Sequence, residues 1–143
     1  MINSNNFIYS KAAAARILGI KVYAIAKFEV WAYVCFVHVK GQKPTFIGKK
    51  AFRQHFVDWR IEQSRSLCVA QVNQEYYRVV NPKKNSVYSV WAYEDGFDCE
   101  CEDYKNQVVI LNGRACCKHA YGVLAWLGYN RLSDYISAHA RAA

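Results

Sequence analysis

Two stretches in the second half of the chain, DCECEDY (98–104) and ACCKHAYGVL (115–124), decide its fold because they carry closely spaced metal-binding side chains. Tetrahedral zinc takes four thiolate or imidazole ligands. A Cys-x-Cys pair at a strand end and a Cys-x-His pair entering a helix can each turn two ligands toward one point, and we expect a β-hairpin within 102–116 to bring the pairs together. The pattern predicts one structural Zn²⁺ ion with no open coordination position. Its expected ligands are Cys99, Cys101, Cys117 and His119.

The remaining cysteines have plainer interpretations. Cys35 and Cys68 each lie inside an apolar, strand-like run, and we expect both to be buried structural residues. The Cys-x-His spacing selects Cys117 over its neighbour Cys116 as the ligand. Disulfides are disfavoured because MINSNNFIYSK, at the start of the chain, lacks the apolar region of a secretion signal, which predicts a cytoplasmic protein with reduced thiols. No segment approaches the roughly 18 uncharged apolar residues of a membrane-spanning helix, so we expect no membrane partner.

Together with the preceding YYRVVNPKKNSVYSVWAYEDG, the two stretches resemble the SWIM zinc finger, whose pattern is CxC, a variable gap and CxH. The resemblance covers residues 75–127. The chain departs from the family at Glu102, where many members have proline, and in the doubled Cys116-Cys117. SWIM fingers are associated with DNA binding and with protein–protein contact, so the resemblance implies one of these roles for the second half.

Excess positive charge is confined to the first half of this 143-residue chain, whose formal net charge is +8. Residues 1–66 contain 11 Lys and Arg against 3 acidic residues, whereas residues 67–143 contain 8 of each sign. Such asymmetry favours a first half that binds a polyanion, most simply nucleic acid. Acidic residues surround the first cysteine pair and would repel phosphates, so we favour a scaffold or protein-contact role for the finger itself.

The beginning of the chain carries the pattern of two short helices. Ser10 is a helix cap in front of KAAAARIL (11–18), and Gly19 can take the left-handed conformation that ends this helix. The spacing of apolar residues predicts a second short helix over 21–28. Two short helices joined by Gly-Ile have the outline of a helix-turn-helix.

A β-hairpin and a longer helix are expected next. VWAYVCFVHV (30–39) is rich in β-branched and aromatic residues, which favours a strand. KGQKP (40–44) predicts a turn, and residues 45–47 can return as the partner strand. From 49 to 61 the apolar period changes to that of an amphipathic helix.

Residues 8–60 resemble winged helix-turn-helix domains of the excisionase and MerR type, through the Ala-rich first helix, the LGI turn, the second helix, the β-wing and the following helix. The resemblance implies that the second helix enters a major groove while basic residues of the wing neutralise phosphates. Each basic residue alone could equally be an ordinary solvated side chain. The expected nucleic-acid contacts are Lys21, Lys27, Lys40, Lys43, Lys49, Lys50 and Arg53.

The sequence pattern of the second half predicts short strands followed by helices. Strands are predicted over 67–72, 76–80, 87–93 and 107–111, the last closed by Asn112-Gly113, and amphipathic helices over 120–127 and from Leu132 onward. Polar residues at 64–66 mark a boundary between a basic part, 1–66, and a zinc-finger part, 67–143. The expected fold class is α+β: a small helix-turn-helix and β-wing, then a β-hairpin zinc finger of the SWIM type with C-terminal helices. Whether the two parts share one core stays open.

The same residues favour a binding protein over an enzyme. No nucleophile elbow, carboxylate cluster or phosphate-binding glycine loop occurs, so we expect no catalytic site. The leading hypothesis is a non-enzymatic, zinc-stabilised DNA-binding protein, a regulator or an accessory factor in recombination or a mobile element, associated with the nucleoid. The alternative is a protein–protein adaptor whose finger recruits a partner, while the basic half contacts RNA or nucleic acid without specificity.

Overall fold

Two antiparallel β-sheets and several helices form the structure, a computed structural model that describes residues 2–111 and 114–142. The expected α+β class is confirmed. By its internal contacts the chain divides into two units, Met1–Trp59 and Arg60–Ala143. The division into parts 1–66 and 67–143, which rests on charge and composition, stays a prediction. None of the described helices is long and apolar enough to cross a membrane.

The first unit begins with helices α1 (Ser4–Phe7) and α2 (Lys11–Leu18). The predicted start and end of α2 are confirmed. The Ser10 hydroxyl accepts a hydrogen bond from the Ala13 backbone N–H at 3.0 Å, which satisfies one of the free donors of the first turn. Gly19 follows in the left-handed conformation, with φ of 69°, where a residue without a Cβ atom is not strained.

The second helix predicted over 21–28 is wrong. This segment forms a short 3₁₀ turn (Val22–Ala24) and then strand β1 (Ile25–Val30), which pairs with β2 (Val34–Val39). A β-bulge between Ile25 and Lys27 shifts the register of β1, so its apolar residues do not alternate regularly and mimic helical spacing. The described segment 19–30 therefore contains no second α-helix of a helix-turn-helix, and 30–39 is not one continuous strand.

The remaining elements of the first unit follow the predicted order. Strand β3 (Thr45–Gly48) returns after the turn at KGQKP and completes a three-stranded sheet of order β1-β2-β3. Helix α3 (Lys49–Ser64) comes directly after it. The buried side chains of the sheet lie on one face, and the ring of Phe28 on that face contacts the fully buried Phe52 of α3, with centroids 6.2 Å apart. The opposite face of the sheet points away from this core.

The second unit contains a four-stranded antiparallel sheet in sequence order, and its first three strands match the predictions closely. The strands are β4 (Cys68–Gln71), β5 (Tyr76–Asn81), β6 (Ser86–Tyr93) and β7 (Gly96–Cys99). The β5–β6 connection is the predicted turn, in which the Lys83 backbone N–H donates to the side chain of Asn81. One face of the sheet packs into a core with the helices that follow.

Three helices complete this unit: α4 (Glu102–Leu111), α5 (Lys118–Trp126) and α6 (Leu132–Ala142). The strand predicted over 107–111, and with it the β-hairpin expected between the two ligand pairs, is wrong because this segment belongs to α4. Its β-branched run resembles a strand, but Glu102 and Asp103 occupy the first turn of the helix, where acidic groups are favoured by the helix dipole. The turn predicted at Asn112-Gly113 lies outside the described residues. The two C-terminal helices are confirmed.

Candidate metal centre

Four side chains from three neighbouring segments converge on one point in the second unit. Cys99 is the last residue of β7, Cys101 lies just before α4, Cys117 precedes the first residue of α5, and His119 is in the first turn of α5. All four residues are buried. One ligand atom from each, three sulfurs and one imidazole nitrogen, lies within 4.8 Å of the other three. The structure thus brings together all four predicted ligands, which can hold one metal ion.

The spacing of these atoms fits a tetrahedral ion. The Nδ1 atom of His119 lies 3.8 Å from the Sγ atom of Cys99 and 3.8 Å from that of Cys117. Metal–sulfur bonds of about 2.3 Å and metal–nitrogen bonds of about 2.1 Å at tetrahedral angles place sulfur and nitrogen about 3.6 Å apart. The distances from Nδ1 of His119 to two of the sulfurs therefore fit an ion that has this atom as its nitrogen ligand.

The three buried thiols of the cluster strongly shift one another's pKa values. Hydrogen bonds from Cys117 and then Cys99 hold the pKa of Cys101 far below its usual range. Hydrogen bonding to Cys101 raises the pKa of Cys99 to about 12 and raises that of Cys117 as well. Without a cation, burial of three negative charges side by side is unfavourable. A divalent metal ion would displace the thiol protons and offset two of the three thiolate charges, so the occupied site would carry a net charge of −1.

A buried polar network supports the second ligand pair, and the sequence analysis did not find it. Gln107 of α4 is only 1% exposed. Its Nε2 atom donates to the Cys116 carbonyl at 3.1 Å, and its Oε1 atom accepts from the Cys116 N–H at 2.8 Å. The carboxylate of Asp103 accepts from Gln107 at 3.0 Å and forms a two-point ion pair with the nearly buried guanidinium of Arg60. This network fixes the backbone immediately before Cys117.

Aromatic residues enclose the first ligand pair and the histidine. The Tyr104 backbone N–H donates to the Sγ atom of Cys101 at 3.4 Å, and the Tyr104 hydroxyl donates to the Phe97 carbonyl at 2.7 Å. Burial raises the pKa of Tyr104 to about 12, so this hydroxyl remains a donor. The ring of Tyr88 packs on the imidazole of His119 with centroids 4.5 Å apart. These contacts help to fix the orientations of Cys101 and His119.

The other cysteines lie outside the four-residue cluster. Cys116 is buried and is not among the converging ligands, and burial raises the pKa of its thiol. Cys35 is fully buried in β2, as expected. The expected burial of Cys68 is wrong: it is exposed because it points away from the core, whereas its neighbour Val69 on β4 packs against the core. All six cysteines are free thiols.

The seven basic residues expected to contact nucleic acid all lie in the first unit, but not on a common helix. Lys21, Lys40, Lys43 and Lys50 are exposed. Lys27 is on strand β1, not on a recognition helix, and its ammonium lies 3.4 Å from the carboxylate of Glu29. Lys49 is half-buried, with its ammonium 4.7 Å from the ring centre of Tyr9, and Arg53 donates to the Tyr9 hydroxyl at 3.1 Å.

Comparison with known proteins does not extend these observations. No protein-family profile, no curated protein and no solved structure matches this chain. The chemistry of the residues themselves therefore carries the functional argument.

Proposed function

We propose that this chain is a non-enzymatic nucleic-acid-binding protein whose second unit is a zinc finger of the SWIM type. The observation that carries the zinc assignment is the set of four buried ligand atoms within 4.8 Å of one another. Thiolates with one imidazole are a donor set that suits zinc, whereas magnesium and calcium take oxygen ligands. Because protein side chains fill all four positions, the ion would have no site for water or substrate, and its role would be structural.

Nucleic-acid binding is assigned to the first unit on the basis of charge. This part of the chain carries nearly all the excess positive charge, and Lys21, Lys40, Lys43 and Lys50 expose their side chains there. Exposed lysines bind phosphates through release of the counterions that surround the nucleic acid. The resemblance of the finger to SWIM proteins supports a role as a regulator or as an accessory factor in recombination or a mobile element, with DNA as the partner.

A protein–protein adaptor is the second candidate, because the surroundings of the first ligand pair are acidic. The exposed acidic residues there are Glu94, Asp95, Asp98, Glu100 and Glu102. Such a surface repels phosphates and would suit a basic protein partner. In this case the finger would recruit a protein, and the first unit would contact nucleic acid only weakly.

Metal analysis of the purified chain tests the zinc assignment. We expect one zinc per chain, and we expect Cys101→Ser to lose the metal together with the fold of the second unit, because metal binding and folding of such sites are coupled. Cys68→Ser is the matched control: its thiol is exposed and outside the cluster, so zinc content and fold should not change. Wild-type protein that is folded and free of metal would contradict the proposal.

A salt-dependent mobility shift tests nucleic-acid binding and separates the two candidates. Four phosphate contacts by the exposed lysines would give a slope of about −4 in log affinity against log salt on duplex DNA. Charge reversal at Lys40 and Lys43 should weaken binding strongly, whereas reversal at Lys83 and Lys84 in the second unit should have little effect. The adaptor is favoured instead if neither duplex nor single-stranded DNA binds at ~50 mM salt.

A further inference from the structure

The outer face of the three-stranded sheet carries a cluster of aromatic side chains. Trp31 stacks on Phe36 with centroids 5.7 Å apart and rings 13° from parallel. Phe46 of β3 lies 5.1 Å from Trp31 and 5.8 Å from Phe36. We call these three residues the aromatic platform. Phe36 and Phe46 are directly opposite each other in the β2–β3 register.

The aromatic platform is not part of the core of the first unit. Trp31 is 45% exposed and Phe46 is 52% exposed. Along β2, Cys35, Val37 and Val39 are buried, whereas Phe36, between the first two, faces the other side of the sheet and is only half-buried. Folding therefore leaves three mutually packed rings in contact with solvent, and clustered apolar groups of this kind mark binding surfaces.

Basic residues border the aromatic platform on the same sheet face. Lys27 and His38 are paired in the β1–β2 register, one row of side chains away from Phe36, a separation of about 7 Å along a strand. Lys40 and Lys43, both exposed, follow in the turn between β2 and β3, at the end of the sheet beyond His38. Aromatic rings beside positive charges suit a ligand that has flat apolar faces and is negatively charged.

We propose that the aromatic platform stacks with unpaired bases of single-stranded nucleic acid, while Lys40 and Lys43 contact its phosphates. The proposal rests on the proposed nucleic-acid binding and narrows it to single strands. In a duplex, the faces of the bases are covered by their neighbours, and only splayed or unpaired bases can stack on side chains. A base of any identity has such a face, so this surface would bind with little sequence preference.

Glu29 lowers the positive charge of this surface. It lies opposite Phe36 in the β1–β2 register, and its carboxylate is 3.4 Å from the ammonium of Lys27. This exposed ion pair competes with phosphates for Lys27. Two lysines outside the pair, Lys40 and Lys43, remain for phosphates, which corresponds to a shallow salt slope of about −1.4 on single strands. Glu29→Gln would release Lys27 and should both tighten binding and steepen this slope.

The experiment is fluorescence anisotropy with labelled 20-nucleotide dT and rU strands and a 20-base-pair duplex, using the full chain with bound zinc. We expect Trp31→Ala and Phe46→Ala each to weaken single-strand binding by about 5-fold to 150-fold, which corresponds to loss of one base–aromatic stack. Trp31→Phe keeps a ring and should retain most of the affinity. Trp126→Ala is the matched control, because Trp126 is similarly exposed but lies on α5 of the second unit.

The outcomes separate failure of this inference from failure of the proposed function. If Trp31→Ala and Phe46→Ala keep the native thermal stability and bind single strands as the wild type does, the aromatic platform does not stack with bases. The proposed nucleic-acid binding would still stand in that case. An equal loss of duplex and single-strand binding overturns the preference for unpaired bases. Absence of binding to all three probes overturns both. The dT and rU arms show whether the strand is DNA, RNA or either.

Discussion

Replacing Gln107 with leucine should destabilise the second unit because this side chain is the partner of a buried backbone segment. Gln107 and Cys116 are 1% and 4% exposed, and two hydrogen bonds of 3.1 and 2.8 Å join them. Leucine has similar size and helix propensity, so helix α4 would persist while the Cys116 N–H and carbonyl lose their partners. Each unpaired buried group costs about 1–3 kcal/mol, which gives about 2–6 kcal/mol in total.

Urea unfolding in excess zinc measures this loss. With a denaturant slope of about 2 kcal/mol per molar, the unfolding midpoint of Gln107→Leu should fall by about 1 M or more. Val109→Ala is the control on the same helix, because Val109 is exposed, and its midpoint should stay close to that of the wild type. A Gln107→Leu midpoint equal to that of the control would refute the calculation.

The same variant also tests whether the network positions a metal ligand. Cys117 directly follows the backbone held by Gln107. Residues that orient metal ligands without binding the metal themselves typically contribute about 10-fold to 100-fold to the metal affinity. Competition with a chromophoric chelator should show a loss of this size for Gln107→Leu. A large loss of stability with unchanged zinc affinity would mean that the network supports the core and not the ligand.

Three further predictions follow from other contacts. Arg60→Met should lower the free energy of unfolding, measured in urea, by about 1–3 kcal/mol; this is less than for a fully buried ion pair because the Asp103 side chain is 32% exposed. Arg65→Met removes an exposed ion pair and should change the free energy of unfolding by less than about 0.5 kcal/mol. Equal effects of the two substitutions would contradict this prediction. Ser10→Ala should destabilise the first unit by about 1 kcal/mol through loss of the cap of α2, and an unchanged melting temperature would exclude that role. Cys116→Ala should retain one zinc per chain in metal analysis, since this thiol is outside the ligand cluster; loss of the ion would show that Cys116 is a ligand.

The four converging residues could be predicted from sequence because the information is local and chemical. A Cys-x-Cys pair at a strand end and a Cys-x-His pair at a helix start each need only a local turn of the backbone to direct two ligands toward one ion. Gln107 could not be found in this way, because its partner is a backbone nine residues further on and no side-chain type identifies such a partner. The only indication in the sequence is that Gln107 is a polar residue next to the apolar run of 108–111.

Local patterns were misleading where tertiary pairing decides the structure. The segment 21–28 has apolar residues at helical spacing, but a β-bulge in β1 produces the same spacing in a strand. The run 107–111 is rich in β-branched residues, and periodicity alone does not separate a short apolar strand from a helix. The acidic residues in the first turn of α4 were the available signal for a helix. Burial of Cys68 depended on which face of β4 packs against the core, and the core is on the side of Val69.

Gln107 also bears on how distant relatives of this chain can be recognised. Gln107 is the sixth residue after Cys101, and helix α4 sets its position relative to that ligand. Its two hydrogen bonds hold the residue directly before Cys117 in place. A pattern of CxC, five residues and Gln, followed by a variable stretch and CxH, therefore describes a structural unit more closely than the four ligands alone. Between the first and the last ligand, insertions should be tolerated only in the variable stretch, so the length from Cys99 to Gln107 should be the same in related chains.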